Sequence, residues 1–190
     1  MAEFDPRQYG DVVAALLEPP REAELGPGRP NRAVRTQLAS LTPEQICAPH
    51  RVADRDLAKA CLSALWLYHD FLDESHSLSQ EIPGTTGSFW HGIMHRREPD
   101  PSNAKYWFRN VGQHEIFPKL LVAAQTLDPP DGTRAGELTG AAKWDPFLFV
   151  DLCETARRCG GELEDFCRRI QAAEWQLLFD YCWRGACGLG

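Results

Sequence analysis

The sequence predicts an all-α fold, a single-domain bundle of about seven or eight helices around a buried central helix at residues 54–73. Apolar residues recur three and four positions apart along several segments, as in helices that bury one face. No window has the alternation of apolar and polar residues that favours a strand. The length of 190 residues suits one domain over 1–190 with a substantial core.

The central helix is predicted from an apolar segment that begins after Asp54. Its apolar residues form one helical stripe and also cover the other faces, which is typical of a helix in the protein interior. A second long stripe at about 162–183 predicts a C-terminal helix that packs along the central one.

Capping residues, prolines and glycines set the bounds of the remaining elements. Asp5-Pro6 begins the first helix, and Thr42 to Gln45 has the spacing of a capping box. Further helices are predicted over about 32–40 and 89–98, from Asp100-Pro101 to Gly112, from Pro118 to about 127, and from Asp145-Pro146 to Cys159. The segments 19–31, 74–87 and 128–143 are predicted to be loops, since they are polar or rich in proline and glycine.

The charge and the apolar runs exclude several classes of partner. A formal charge of −7 and a pI near 5.4 repel phosphate backbones, so we expect no broad nucleic-acid surface. No run approaches 18 apolar residues, so we expect no membrane span.

The cysteines and the N-terminal sequence predict a cytoplasmic protein. Seven cysteines cannot all pair within one chain, and none forms a C-x-x-C motif. They are expected to be small buried thiols of a reducing compartment, with no intrachain disulfide. The first twenty residues lack the basic and apolar regions of a signal peptide.

Five of the six histidines lie within one segment between positions 69 and 114. Imidazole is the side chain that changes charge near neutral pH, and it is the commonest metal ligand. In the piece WHGIMHRREPD, the residues His91, His95 and Glu98 would share one edge of a helix. These three are the candidate catalytic residues.

Two histidines four residues apart on a helix can bind one divalent metal, which makes His91 and His95 the candidate metal ligands. A carboxylate one turn later, Glu98, could complete or support such a site. The zinc-protease motif places its catalytic glutamate directly after the first histidine, where this chain has Gly92. A metalloprotease is therefore excluded.

The end of the central helix supplies the opposite side of the predicted pocket. His69 and Asp70 end that helix, and His76 follows in the polar segment. A short loop could bring His69 or His76 to the His91 edge. Together with Arg96, these residues are the candidate ligand-binding set, listed here in chain order: His69, Asp70, His76 and Arg96.

Two other interpretations of this region remain open. The histidines and Glu98 could form the solvated edge of an amphipathic helix. Alternatively, the arginines among the aromatic residues of 90–109 could hold a carboxylate or phosphate, or could stack on those aromatic rings.

The stretch WHGIMHRREPDPSNAKYWFRNVGQHEIF at 90–117 resembles a family of bacterial and fungal proteins whose function is not known. The resemblance is strongest from about His69 to Phe117 and implies no activity.

The same stretch is similar to one Sel1-type, tetratricopeptide-like repeat. The matching positions are Gly92, Asp100, Ala104 and Trp107. It departs from the repeat at 97–99, where Sel1 repeats carry paired glycines, and the sequence contains no second copy. The resemblance implies a helical hairpin over 88–112, without an array.

Two function hypotheses follow from the sequence. The first is a small-ligand pocket lined by the histidine-rich segment. A divalent metal is a candidate ligand of this pocket, and the pocket could be the active site of an enzyme. The second is a non-catalytic helical module that binds another protein through its aromatic-rich hairpin. Helical folds host both, so the fold class cannot decide between them.

Overall fold

Eleven α-helices and two short 3-10 helices form the regular structure of residues 4–189, the part of the chain that the computed structural model describes. No strand occurs among these residues, which confirms the all-α prediction. The helices are α1 Asp11–Leu17, α2 Arg35–Ser40, α3 Pro43–Cys47, α4 Arg55–Tyr68, α5 Leu72–Ser79, α6 Gly84–Arg97, α7 Pro101–Val111, α8 Phe117–Gln125, α9 Ala135–Thr139, α10 Pro146–Cys159 and α11 Gly161–Cys187. The 3-10 helices are Pro6–Tyr9 and Arg32–Val34.

The structure has more helices than the predicted seven or eight, in part because α5 and α9 lie largely in segments that were predicted to be loops. Asp5 caps the first helix as predicted, but Gly10, with φ of 83°, separates the 3-10 turn from α1. The predicted loop 128–143 contains the short helix α9.

The central helix was predicted to continue to residue 73, and this bound is wrong. It ends at Tyr68, because Asp70 takes a left-handed conformation with φ of 64° and reverses the chain. Aspartate tolerates this conformation better than most residues. The N–H of Phe71 then returns to the carbonyl of Trp66 at 3.0 Å, which closes the turn before α5.

The polar segment 74–87 is mostly helical, so its prediction as a loop is also wrong. It contains most of α5 and the first turn of α6. The Ser63 hydroxyl on α4 donates to the carbonyl of Ser75 at 2.9 Å and lies 3.0 Å from the Ser75 hydroxyl. These bonds satisfy polar groups at a fully buried contact, so a helix with few apolar residues can still pack against α4.

The C-terminal helix α11 packs along α4 as expected. The indole N–H of Trp175 on α11 donates to the carbonyl of Ala64 on α4 at 3.0 Å. The indole N–H of Trp183 reaches the carbonyl of Ile46 on α3 at 2.9 Å. Both indoles are buried with partners, as burial of this side chain requires.

The segment between α1 and the Arg32 turn has no helix and lies across the helical core. The Arg97 side chain donates to the carbonyl oxygens of Gly26 and Pro27 at 3.2 and 3.4 Å. The amide of Gln171 donates to the carbonyl of Glu24 at 3.0 Å. Side chains of the core, together with the backbone hydrogen bond from Asn31 N–H to the carbonyl of His69 at 3.0 Å, therefore fix this proline-rich arm, residues 18–31.

Helices α6 and α7 form a close antiparallel hairpin. A Cβ built on Gly92 would lie 3.1 Å from the ring of Phe108, so the absence of a side chain at this position permits the close approach. The pair positions the aromatic residues of α7 beside the histidines of α6.

All seven cysteines are free thiols, and six of them are buried. Within residues 4–189, no helix has the length and apolar character that crossing a membrane requires.

The contact between α6 and the preceding turn leads to a stability prediction. In Gly87→Ala, the new Cβ would lie 2.0 Å from the carbonyl oxygen of Ile82, so the backbone must shift. We expect a loss of about 1–3 kcal/mol in the free energy of unfolding, measured by urea denaturation. The control is Gly136→Ala in α9, where nothing lies within 4 Å of the new Cβ. Equal stability of the two variants would contradict the packing described for Gly87.

Candidate metal centre

Two helices bring three histidines to one point. Helix α5 carries His76, and α6 carries His91 and His95 one turn apart. One ring nitrogen from each lies within 4.8 Å of the other two. His91 and His95 are buried, whereas His76 is half-buried. We refer to these three residues as the histidine cluster.

The rings of the cluster are held by aromatic contacts. His91 stacks on Trp107 of α7, with centroids 3.9 Å apart and planes inclined by 16°. The rings of His91 and His95 lie 4.9 Å apart and nearly parallel. His76 meets both edge-on, at 4.6 and 5.3 Å. The hairpin therefore fixes the α6 histidines, and the remaining freedom lies with His76.

Glu98, the residue that caps α6, contacts one member of the cluster. Its Oε2 lies 2.9 Å from Nδ1 of His95. An ionised carboxylate can only accept, so the Nδ1–H of His95 donates to it. The lone pair of a neutral His95 is then on Nε2, which is available to a ligand.

Burial keeps the two α6 histidines neutral. It lowers the pKa of His91 to about 3, with further lowering from the nearby His76 and His95. Burial also lowers the pKa of His95, although the hydrogen bond and charge of Glu98 oppose this shift. Because metals bind the neutral form of imidazole, both rings have the protonation state that coordination needs at neutral pH.

One polar atom of the cluster lacks a partner. Nδ1 of His91 is buried and forms no hydrogen bond within residues 4–189. A buried nitrogen without a partner raises the free energy of the folded state. A bound group that pairs with this nitrogen would therefore stabilise the folded state.

His69 lies apart from the three clustered histidines. Its Nδ1 is 3.3 Å from the side-chain amide of Asn31, while its Nε2 is buried without a partner among the described residues. Burial, together with the positive charge of Arg21, lowers the pKa of His69 to about 4. Of the two histidines that could approach α6, the structure brings His76.

Asp70 and Arg96 are placed in buried ion pairs. Asp70 accepts from Arg21 and Arg97 at 2.8 and 2.5 Å. Arg96 pairs with Glu174 of α11, and both side chains are almost wholly buried. The Arg96 guanidinium also lies 4.5 Å from the ring centroid of Phe149. This geometry gives Arg96 a packing role in the interior.

Sequence reasoning missed the partners of these residues. Trp107 lies 16 positions from His91 on the next helix, and nothing in the spacing pairs the two residues. Glu174 is separated from Arg96 by 78 positions and looks like any polar residue of an amphipathic helix. The only available signal was its place on the apolar stripe of α11, beside Ile170 and Leu178.

Comparisons with known proteins identify no relative. The chain matches no protein-family model, and no curated protein or solved structure is significantly similar to it. The chemical properties of the site are therefore inferred from the geometry of its residues alone.

The Arg96–Glu174 pair gives a prediction that separates a structural role from ligand binding. Glu174→Leu leaves a buried guanidinium unpaired and should lower the free energy of unfolding by about 3–5 kcal/mol. The double variant Arg96→Met/Glu174→Leu should recover most of that loss, because no charge is then left buried. Thermal and urea unfolding measure both. The exposed ion pair between Arg134 and Glu137 provides a control. For Arg134→Gln we expect little change in stability. A double variant less stable than Glu174→Leu would contradict this role.

Proposed function

We propose that the protein binds a divalent transition metal, with zinc as the best fit, through His76, His91 and His95. The observation that carries this proposal is the convergence of three ring nitrogens within 4.8 Å on two adjacent helices. Imidazole nitrogens suit zinc, copper and nickel better than magnesium or calcium, which prefer oxygen ligands.

The distances support coordination after a small movement. Nitrogens bound to one tetrahedral zinc at about 2.05 Å lie roughly 3.4 Å from one another. Separations of up to 4.8 Å must therefore shorten by at most about 1.4 Å. His76 is half-buried on a short helix, so rotation of its side chain is the least costly way to close the site.

Glu98 supports the proposal from outside the ligand set. Metal-binding histidines usually donate their second N–H to a carboxylate or carbonyl, which fixes the ring and makes the ligating nitrogen more basic. The contact of Glu98 with Nδ1 of His95 at 2.9 Å has this arrangement. Glu98 is then a positioning residue, and the ion would be bound by His95 Nε2.

Three protein ligands leave one position of a four-coordinate ion for water or a small ligand. That ligand number is typical of zinc sites that react with a bound molecule, whereas structural sites use four protein ligands. The ion would also join α5 to α6. It would thereby stabilise α5, whose buried residues are serines.

Metal titration tests the proposal directly. Untagged protein, freed of metal by a chelator and dialysed, should bind one Zn²⁺ per chain by isothermal titration calorimetry. His91→Phe keeps the ring on Trp107 and removes the nitrogens, so it should weaken zinc binding by about a hundredfold or more, as expected for loss of one of three ligands. His76→Phe should have the same effect.

The matched control is His50→Phe, at an exposed histidine outside the cluster that packs beside Trp183. It should bind zinc as the unmodified chain does, and melting temperatures should show that each variant is folded. If the unmodified chain takes up no zinc, or if His91→Phe binds it normally, the metal proposal fails. The interaction module would then be the hypothesis to pursue.

Glu98→Gln tests the positioning role. The amide can no longer act as a charged acceptor, so we expect zinc affinity to fall about 10–100-fold while the stoichiometry is unchanged. Nitrogen-15 NMR of the imidazoles should show that His95 loses its preference for the Nδ1–H tautomer. The control, Glu81→Gln at an exposed position on the turn before α6, should change neither measurement. An unaltered His95 tautomer with reduced affinity would contradict the assigned mechanism.

A further inference from the structure

A cavity of about 630 Å³ lies away from the histidine cluster, between the proline-rich arm, the end of α4, α6 and α11. Its wall is mainly apolar, with contributions from Phe4, Leu17, Leu67, Ile93 and Trp175. This volume is within the range of about 300–1,000 Å³ that small-molecule sites occupy. The proposed metal binding does not involve any of these residues.

The inner part of the cavity wall carries an excess positive charge. Arg21 and Arg97 both line the cavity, and both bind the single carboxylate of Asp70. Two guanidinium groups on one carboxylate leave a net charge of +1. The neighbouring His69 adds no charge at neutral pH, since burial and Arg21 lower its pKa to about 4.

The two arginines are not equally satisfied. Arg97 is buried, and its donors go to three backbone carbonyls and to Asp70. The side chain of Arg21 is 32% exposed and bonds only Asp70, while its Nε is buried with no partner within residues 4–189. Arg21 is therefore the guanidinium that has spare hydrogen-bonding capacity beside the cavity.

The outer part of the lining is mixed in charge and more solvated. Arg169 is exposed and forms no salt bridge within residues 4–189, whereas Arg168 pairs with Glu24 and Glu164. The exposed acids Glu22 and Asp165 are also present. Water and salt screen these exposed charges more strongly, so the excess charge at the half-buried Arg21 has the larger influence on a ligand inside the cavity.

From the cavity, the apolar wall and this charge excess, we propose that the protein binds a small amphipathic carboxylate, whose head group pairs with Arg21 and whose apolar body lies against Trp175. A monoanion balances the single excess charge, whereas a phosphate dianion would reverse its sign. The planar carboxylate also matches the donors of a guanidinium. The apolar wall requires a hydrocarbon or aryl body, which gains free energy by leaving water.

Decanoate is the probe. Decylammonium, which has a ten-carbon alkyl group and the opposite charge, is the control ligand. In calorimetric titrations of the full chain, decanoate should bind at one site and about tenfold or more tighter than decylammonium, as one charge-assisted contact predicts. Arg21→Gln should weaken decanoate binding by about the same factor. In this variant the carboxylate of Asp70 still pairs with the guanidinium of Arg97, so the protein should fold normally.

Two further variants locate the site and control for charge. Ala172→Trp places a large ring in the lining from an exposed position on α11, so it should abolish decanoate binding without changing the melting temperature. Arg158→Gln removes the same charge from an exposed arginine on α10 outside this cavity and should leave the affinity unchanged.

Three results would overturn the inference. They are the absence of saturable decanoate binding to the unmodified chain, equal affinity for decylammonium, and normal decanoate binding by Ala172→Trp. Because these measurements use metal-free protein and no residue of the histidine cluster, their outcome is independent of the zinc titration.

Discussion

The carboxylate of Asp70 is the constraint on which the rest of the arrangement depends. The backbone of Asp70 takes a left-handed conformation just after the central helix, and its carboxylate accepts hydrogen bonds from Arg97 on α6 and Arg21 on the arm. One side chain thus fixes three things: the turn from α4 into α5, the position of α6 relative to that turn, and the place of the arm. The direction in which α5 leaves this turn brings His76 opposite His91 and His95. A Cβ at Gly28 would lie 2.5 Å from the Asp70 carboxylate, so the arm can approach this closely only with glycine there.

Much of the helix map could be predicted from local signals. Thr42 and Gln45 form the capping box that their spacing indicates, and Asp100 and Asp145 cap the helices that begin with the following prolines. These signals act over three or four residues, so they can be recognised in the sequence without knowledge of the tertiary contacts. Errors arose where tertiary contacts override local preference. The turn at Asp70 is held by Arg21 and Arg97, and the polar helix α5 is held by the buried contact of Ser63 with Ser75.

The candidate site was predictable in part for the same reason. The proximity of His91, His95 and Glu98 follows from helical spacing alone. Which distant residue joins them depends on the α4–α5 turn, and the sequence left both His69 and His76 open. For Arg96, helical spacing was not sufficient to predict its contacts. Its position beside the histidines is set by the helix, but its direction is set by Glu174, far along the chain. The family resemblance and the single-domain boundaries stay predictions.

The contacts of the proline-rich arm have a consequence for the order of folding. The carbonyls of Glu24 and Leu25 are bound by Gln171 and Arg157, at separations of 147 and 132 residues. During synthesis the arm is made before these two partners, which follow it by 147 and 132 residues. Closing loops of such length is slow relative to helix formation. The contacts of the arm at Glu24 and Leu25 can therefore form only after α10 and α11, and until then the apolar surface beneath this part of the arm is open to water and to aggregation.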